Sequence, residues 1–350
     1  MKYKLLRDID LSSNIGKRVF VTFMAKDVEV RLQKDNVTKY IQFNMTDLGI
    51  SHDVKLFGAS ESQIEMIENG GVYNSAIDVK PYNRAPCGYS CIVYNIEPSD
   101  IDNSVFIEWA EGMEAASASV TRALQYISKT PYWDLVYDVI IEYWDKFTRW
   151  TAANSMHHNL MGGLLVHTAE VIDTAELLSD YYNRKYGDTF ISKELVLSGA
   201  LLHDIGKCIE LTVDINSGNT EYSTEAALES HIMSALSIID NQAFKTRFGR
   251  QIDIMDELNE EEEPKTEEQI KREKEILMLL KHCIASHHGK KEYGSPIVPN
   301  IPEAHIINVM DNLSADMYKY QKKLSEIEAG TSVSSWVGGD IEVVYKESNK

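Results

Sequence analysis

The spacing of apolar and polar positions divides the chain at about residue 110. Before it, short runs rich in β-branched and aromatic residues predict strands: Val19–Phe23, Val28–Leu32, Tyr40–Met45, Val54–Phe57, Val72–Val79 and Tyr89–Asn95. Two of these runs show partial alternation, and turn-prone stretches such as Lys34-Asp35-Asn36 and Asp47-Leu48-Gly49 separate them. A short helical segment, Glu61 to Glu68, ends at Asn69-Gly70-Gly71. Strands with a helix among them over residues 15–95 fit a small Greek-key barrel of the OB type, which requires five strands.

From Glu111 the period changes to that of helices. Glu114–Ile127 and Tyr132–Phe147 read as connecting helices, the second apolar at 135, 136, 139, 140, 143, 144 and 147. Further helices are predicted from Leu164 towards Tyr182, over Lys193–His203, Glu225–Asp240, Glu267–Ser286 and Glu303–Ile327. Beyond about 328 the chain is rich in Gly, Ser and charges and reads as a loose tail, with a short strand at Ile341–Tyr345. The expected architecture is therefore multidomain α and β: an amino-terminal OB-like barrel (1–110), connecting helices (111–150), an all-α bundle (151–327) and a tail (328–350).

The bulk numbers narrow the class. A chain of 350 residues suits two domains, and 43% hydrophobic with 25% charged residues is ordinary for a globular protein. No apolar run approaches the ~20 residues of a membrane span, and the first residues lack a signal-peptide core, so a cytoplasmic protein without membrane attachment is expected. The four cysteines form no Cys-x-x-Cys pair and are expected to be reduced and mostly buried.

A formal net charge of −19 weighs against a nucleic-acid partner, because phosphate contacts usually come from a surplus of Lys and Arg. The charge is uneven, however. Residues 1–110 carry 12 basic and 15 acidic side chains, which leaves room for a local positive face. Part of the acidic surplus lies in the run Asp256 to Pro264, read as a solvated loop, within an acidic insertion at about 256–275. OB barrels bind single strands by stacking bases on exposed rings, and the candidates here are Tyr40, Phe43, Phe57, Tyr73, Tyr82 and Tyr89, with Lys55, Lys80 and Arg84 near them in sequence. Each ring carries the alternative reading that it fills the barrel.

The chemistry gathers around Leu201-Leu202-His203-Asp204-Ile205-Gly206-Lys207. An imidazole and a carboxylate stand side by side at the end of an apolar helix, a pair that alone could be no more than a helix cap. With His167 upstream and His231, His287, His288 and Asp311 downstream, it becomes a ligand set. Imidazoles and carboxylates without thiolates suit divalent Mn, Fe, Mg, Co or Zn rather than a structural thiolate zinc site. Asp204 is the candidate bridge between two ions, and Lys207, one turn on, would meet a phosphate oxygen.

The order His167, His203-Asp204, Asp311 resembles the HD-domain metal phosphohydrolase superfamily. The resemblance runs from about 154 to 320. It is carried by His158 with Gly162 to Thr168, by Leu202 to Lys207, by Glu221-Tyr222-Ser223-Thr224, by Ser286-His287-His288-Gly289 with Glu292 to Pro296, and by Pro302-Glu303-Ala304 before Asp311. It is closer still to YhaM-type 3′–5′ exoribonucleases, which join an OB domain to an HD domain. This likeness implies one ion held by His167, His203, Asp204 and Asp311 and a second completed by His231 with His287 or His288, Mn²⁺ being the expected metal. The sequence departs from the family at Glu229-Ser230, where a glycine usually adjoins the histidine, and in the longer acidic insertion.

The implied activity is metal-dependent release of nucleoside monophosphates from the 3′ end of single-stranded RNA, with DNA as an alternative substrate. His158, Lys207, Lys290, Lys55, Tyr40 and Phe57 are the substrate-binding candidates, and Asp204 and Lys207 the catalytic ones. An HD hydrolase of small nucleotides and a non-catalytic single-strand-binding adaptor are the competing readings. Homo-oligomerisation is left open.

Overall fold

The computed structural model describes residues 2–83, 87–153, 158–250, 265–327, 331–334, 337 and 341–347. The chain divides into two compact units, one of residues 1–109 with 213–219, the other of residues 110–212 with 220–350. No helix among the described residues is long and apolar enough to cross a membrane.

In the first unit, β1 (Lys4–Leu5) runs parallel to β2 (Arg18–Leu32). β2 pairs with β3 (Lys39–Asp47), β3 with β4 (Ile50–Phe57), β4 in parallel with β6 (Tyr89–Val93), β6 with β5 (Val72–Pro81), and β5 returns to β2. This closes a five-stranded OB-like barrel, to which β7 (Glu97–Pro98) adds a short edge on β5. Helix α1 (Glu61–Met66) fills the β4–β5 connection and is started by a capping box between Ser60 and Gln63. Strand β3 shows why the barrel closes on these residues: Ile41, Phe43 and Met45 alternate inward, and Phe43 stacks on Phe23 at 5.7 Å in the core.

Two expectations change here. The segments Val19–Phe23 and Val28–Leu32 are halves of one strand, because a register shift between Lys26 and Glu29, with Asp27 at φ 52°, bends β2 so that its first half pairs with β5 and its second with β3. Phe43 and Tyr73 are buried, so neither is available to stack on a base.

The second unit is helical: α2 (Met113–Ile127), α3 (Trp133–Arg149), α4 (Gly163–Tyr186), α5 (Lys193–Leu202), α6 (Lys207–Glu210), α7 (His231–Lys245), α8 (Glu267–Ser286) and α9 (Pro302–Glu326). One apolar core runs through it, and α2 and α3, expected as connecting helices, contribute Val120, Ile127, Leu135, Val139, Ile140 and Phe147 to that core. An unforeseen hairpin, β8 (Leu211–Asp214) with β9 (Asn219–Tyr222), follows α6.

Helix α7 begins later than its periodicity suggests. Glu225–Ala227 form a single 3₁₀ turn and Ser230 is extended, so His231 is the first helical residue. The part of the acidic insertion from Glu267 is the start of α8, fixed by a Thr266–Gln269 capping box, whereas residues 251–264 lie outside the described residues, as do Arg84 and His157. In the tail an isolated bridge joins Val333 to Tyr345 where a strand was expected, and Ile341 and Val344 are buried. Cys91, Cys208 and Cys283 are buried; Cys87 is exposed.

Candidate metal centre

Five helices bring the ligand set together. His167 stands on the buried face of α4; His203 and Asp204 follow the end of α5; His231 opens α7; His287 and His288 follow α8; Asp311 lies on α9. Two glycines allow this convergence. A Cβ on Gly206 would lie 1.9 Å from the carbonyl oxygen of His231, and one on Gly163 would lie 2.0 Å from that of His158. Backbones therefore approach at both points where a side chain would force them apart.

The ligand atoms fall into two groups, each within 4.8 Å: His167, His203, Asp204 and Asp311 in one, His231, His287 and His288 in the other. Asp204 faces both. Its Oδ2 lies 3.3 Å from Nε2 of His167 and of His203, while its Oδ1 lies 3.6 Å from Nε2 of His231 and of His287. Asp311 Oδ1 is 3.2 Å from His167 Nε2 and completes the first group. Asp204 Oδ1, His231 Nε2 and His287 Nε2 are buried without any hydrogen-bond partner among the described residues. Three orphaned donor atoms converging in a protein interior are the arrangement a cation would satisfy. The residues present fit an ion in each group, with Asp204 shared.

The far nitrogens of the rings explain why the near ones point inward. Nδ1 of His203 donates to Ala200 O at 2.7 Å, Nδ1 of His287 to Ile284 O at 2.7 Å, and Nδ1 of His288 to Tyr293 O at 2.8 Å. Nδ1 of His231 meets Glu210 Oε2 at 3.1 Å, and Nδ1 of His167 meets Ser314 Oγ at 3.0 Å. Ser314 Oγ in turn donates to Glu170 Oε2 at 2.6 Å, so it accepts from His167. With an acceptor at every Nδ1, the ring orientations are fixed and each Nε2 faces the centre.

The electrostatics agree. Burial opposes the charge on Asp204, but the Lys207 ammonium, 2.7 Å from Oδ2, and the neighbouring imidazoles hold its carboxyl well below the usual range. Burial also favours neutral Lys207, and Asp204 outweighs it and raises the lysine pKa. Burial and two facing histidines, His288 and His203, push His287 well below its ordinary value; burial and His231 lower His288. Those two rings are thereby kept in the neutral form a cation needs. His167 behaves differently: burial lowers its pKa, yet Asp204 and Asp311 prevail and bring it to about 9.

The remaining candidates are placed as follows. His158 is buried at φ 48°, its Nε2 3.3 Å from Ser314 Oγ, beside His167 and against Tyr318. Lys290 is exposed, its Nζ 5.0 Å from the Tyr293 ring centre. In the barrel unit, Tyr40 and Phe57 stack at 5.4 Å, Phe57 being 58% exposed, and Lys55 Nζ lies 5.9 Å from the Tyr40 ring. Lys55, Phe57, Tyr82 and Tyr89 line a groove of about 530 Å³ along β4 and β6. Sequence reasoning missed Glu210 and Ser314, which touch ligands rather than the centre, and Glu170, which holds Ser314.

Residues 164–316 match the family described as HD domain, within the 154–320 stretch that carries the sequence resemblance. HD domains bind divalent metal ions, and the two clusters supply donors for them. Among solved structures, asparaginyl-tRNA synthetase from Pyrococcus horikoshii complexed with asparaginyl-adenylate is similar over 43% of this chain and 36% of its own, at 14% identity and a TM-score of 0.23. The chain spans about a third of that protein, and so slight a likeness supports nothing further.

Proposed function

We propose that this HD-domain chain is a metal-dependent phosphodiesterase that shortens single-stranded RNA, and DNA as a second substrate, from the 3′ end, releasing nucleoside 5′-monophosphates. The observation that carries the phosphohydrolase half of this reading is Asp204, whose two oxygens face separate histidine clusters. Two divalent ions, with Mn²⁺ expected, would supply Lewis-acid activation of water and stabilisation of the leaving oxygen. The chain's own residues hold the ligand nitrogens aimed at the centre, and keep a fixed ammonium, Lys207, at the bridging carboxylate. Lys207 adds positive charge where a phosphodiester gains negative charge on the way to pentavalency.

Two features support a single-stranded polymer end as the substrate. Most of the ligand set is buried: His167, His203 and His287 are fully enclosed, and the Asp311 side chain is 13% exposed. A chain terminus reaches such a centre more readily than an internal phosphodiester of a duplex. The OB-like unit supplies a second feature, the paired rings Tyr40 and Phe57 beside Lys55, which is the composition of a stacking platform for bases. In this reading the barrel holds the strand and the HD domain cuts it.

The enclosure of the centre also favours a second reading, hydrolysis of a small nucleotide, because a mononucleotide meets the same steric limit. Incubation with Mn²⁺ of a 5′-labelled single-stranded oligonucleotide, in parallel with cyclic and triphosphate mononucleotides, separates the two. The proposal expects a descending ladder of products and free 5′-monophosphate, both lost in Asp204→Ala. Intact oligomer with consumed mononucleotide would install the second reading in its place.

A further inference from the structure

Behind the ligand layer lies a second set of contacts that neither the sequence motif nor the family match assigns. Glu210, the last residue of α6, takes both available donors of His231: Oε2 is 3.1 Å from Nδ1, and Oε1 is 3.2 Å from the backbone N–H. The second contact matters because His231 is the first residue of α7, where backbone N–H groups have no partner within the helix and Ser230 provides no side-chain cap. One carboxylate thus fixes both the ring and the helix end that carries it.

The other cluster has its own support, built differently. His167 Nδ1 rests on Ser314 Oγ, and that hydroxyl is itself oriented by Glu170 Oε2. Ser314 is 147 residues from His167 in sequence and comes from α9, the helix that also carries Asp311. The two supports share no residue.

We infer that Glu210 and the Ser314–Glu170 pair are positioning residues that set the two ion sites independently: Glu210 governs the site of His231, His287 and His288, and Ser314 with Glu170 the site of His167, His203, Asp204 and Asp311. Neither touches an ion; each acts through one imidazole. Partners of this kind change metal affinity by about 10- to 100-fold when removed. The inference rests on the metal-centre reading but not on the identity of the substrate.

The test is calorimetric titration of chelator-treated full-length protein with Mn²⁺ and with Co²⁺. The two binding steps are assigned first with His288→Ala, which weakens the second site, and Asp311→Ala, which weakens the first. Glu210→Gln, which keeps a neutral acceptor, and Glu210→Ala, which keeps none, are then expected to weaken the second-site step progressively, by about 10-fold and about 100-fold, with the other step within about threefold of wild type. Ser314→Ala is expected to do the reverse. The visible absorption of bound Co²⁺ reports the same division without reference to activity. Unfolding of each metal-free variant separates loss of position from loss of fold, and Glu210→Gln, nearly isosteric, is the decisive variant should Glu210→Ala prove unstable. Steps unchanged in Glu210→Gln and Ser314→Ala, or weakened equally at both sites, overturn the inference. Failure of wild type to take up any ion would overturn it too, together with the metal-centre reading; uptake of ions by a protein that cleaves no oligonucleotide would refute the proposed substrate alone.

Discussion

Replacing Asp204 by asparagine tests the centre without changing its volume. Lys207 Nζ lies 2.7 Å from Asp204 Oδ2 and both side chains are nearly inaccessible, at 10% and 2% exposure. Asparagine leaves that ammonium buried without a counter-charge at its tip, and breaking a buried pair in this way costs about 3–5 kcal/mol. The loss belongs to the metal-free protein, so it should appear in urea unfolding with chelator present, near neutral pH. It should also be reversible: Asp204→Asn with Lys207→Met removes the stranded charge and is expected to recover at least half of the stability. Activity must not follow. Without a bridging carboxylate, hydrolysis should fall by about three orders of magnitude or more in the single variant and stay there in the double. A single variant as stable as wild type, or a double variant that regains hydrolysis along with stability, would refute the assignment of Asp204 as a buried charge that serves both the lysine and the ions.

His167 is held protonated in the metal-free protein by Asp204 and Asp311, with a pKa of about 9, so an ion entering the first site must displace a proton. Titrations in buffers of different ionisation enthalpy should show release of about one proton at around pH 7.5, fading as pH passes the imidazole's own pKa. The same shift is a stability statement: His167 contributes stability to the metal-free fold below the unfolded-state pKa of about 6.5, and that contribution is lost as pH rises through about 9. In the barrel unit, Tyr40→Ala or Phe57→Ala should weaken single-strand binding, read by fluorescence anisotropy, by about 1–3 kcal/mol while leaving hydrolysis of a small chromogenic phosphodiester unchanged. Equal loss in both assays would argue that these rings stabilise the barrel instead.

Most ligands were legible because their chemistry is local. His203-Asp204 marks a helix end by itself, and His287-His288-Gly289 marks another. The strands of the barrel were largely legible from their apolar runs, but Phe43, offered as a stacking ring, shares parity with the buried Ile41 and Met45 and points inward, whereas Tyr40 has the opposite parity. Glu210, Glu170 and Ser314 were not legible, because a glutamate or serine on a helix is ordinary and its meaning lies in a partner distant in sequence. The start of α7 was misplaced for a related reason. Residues 225–230 are compatible with helix, but the approach of Gly206 to His231 and the cap from Glu210 set the first turn through contacts made across the fold. Likewise Ala25-Lys26-Asp27 interrupts the apolar pattern and splits β2 in sequence, although the bulge there lets one strand serve two neighbours.

Every imidazole of the two candidate clusters is already tethered by its outer nitrogen, four of them to the chain's own carbonyls or carboxylates and one to a hydroxyl. Loading therefore asks for no search among rotamers, and emptying leaves the scaffold standing. Unlike a zinc finger, whose apo form is an unfolded chain, this domain should survive chelation as a folded but inert body, and be reactivated on ion return without refolding.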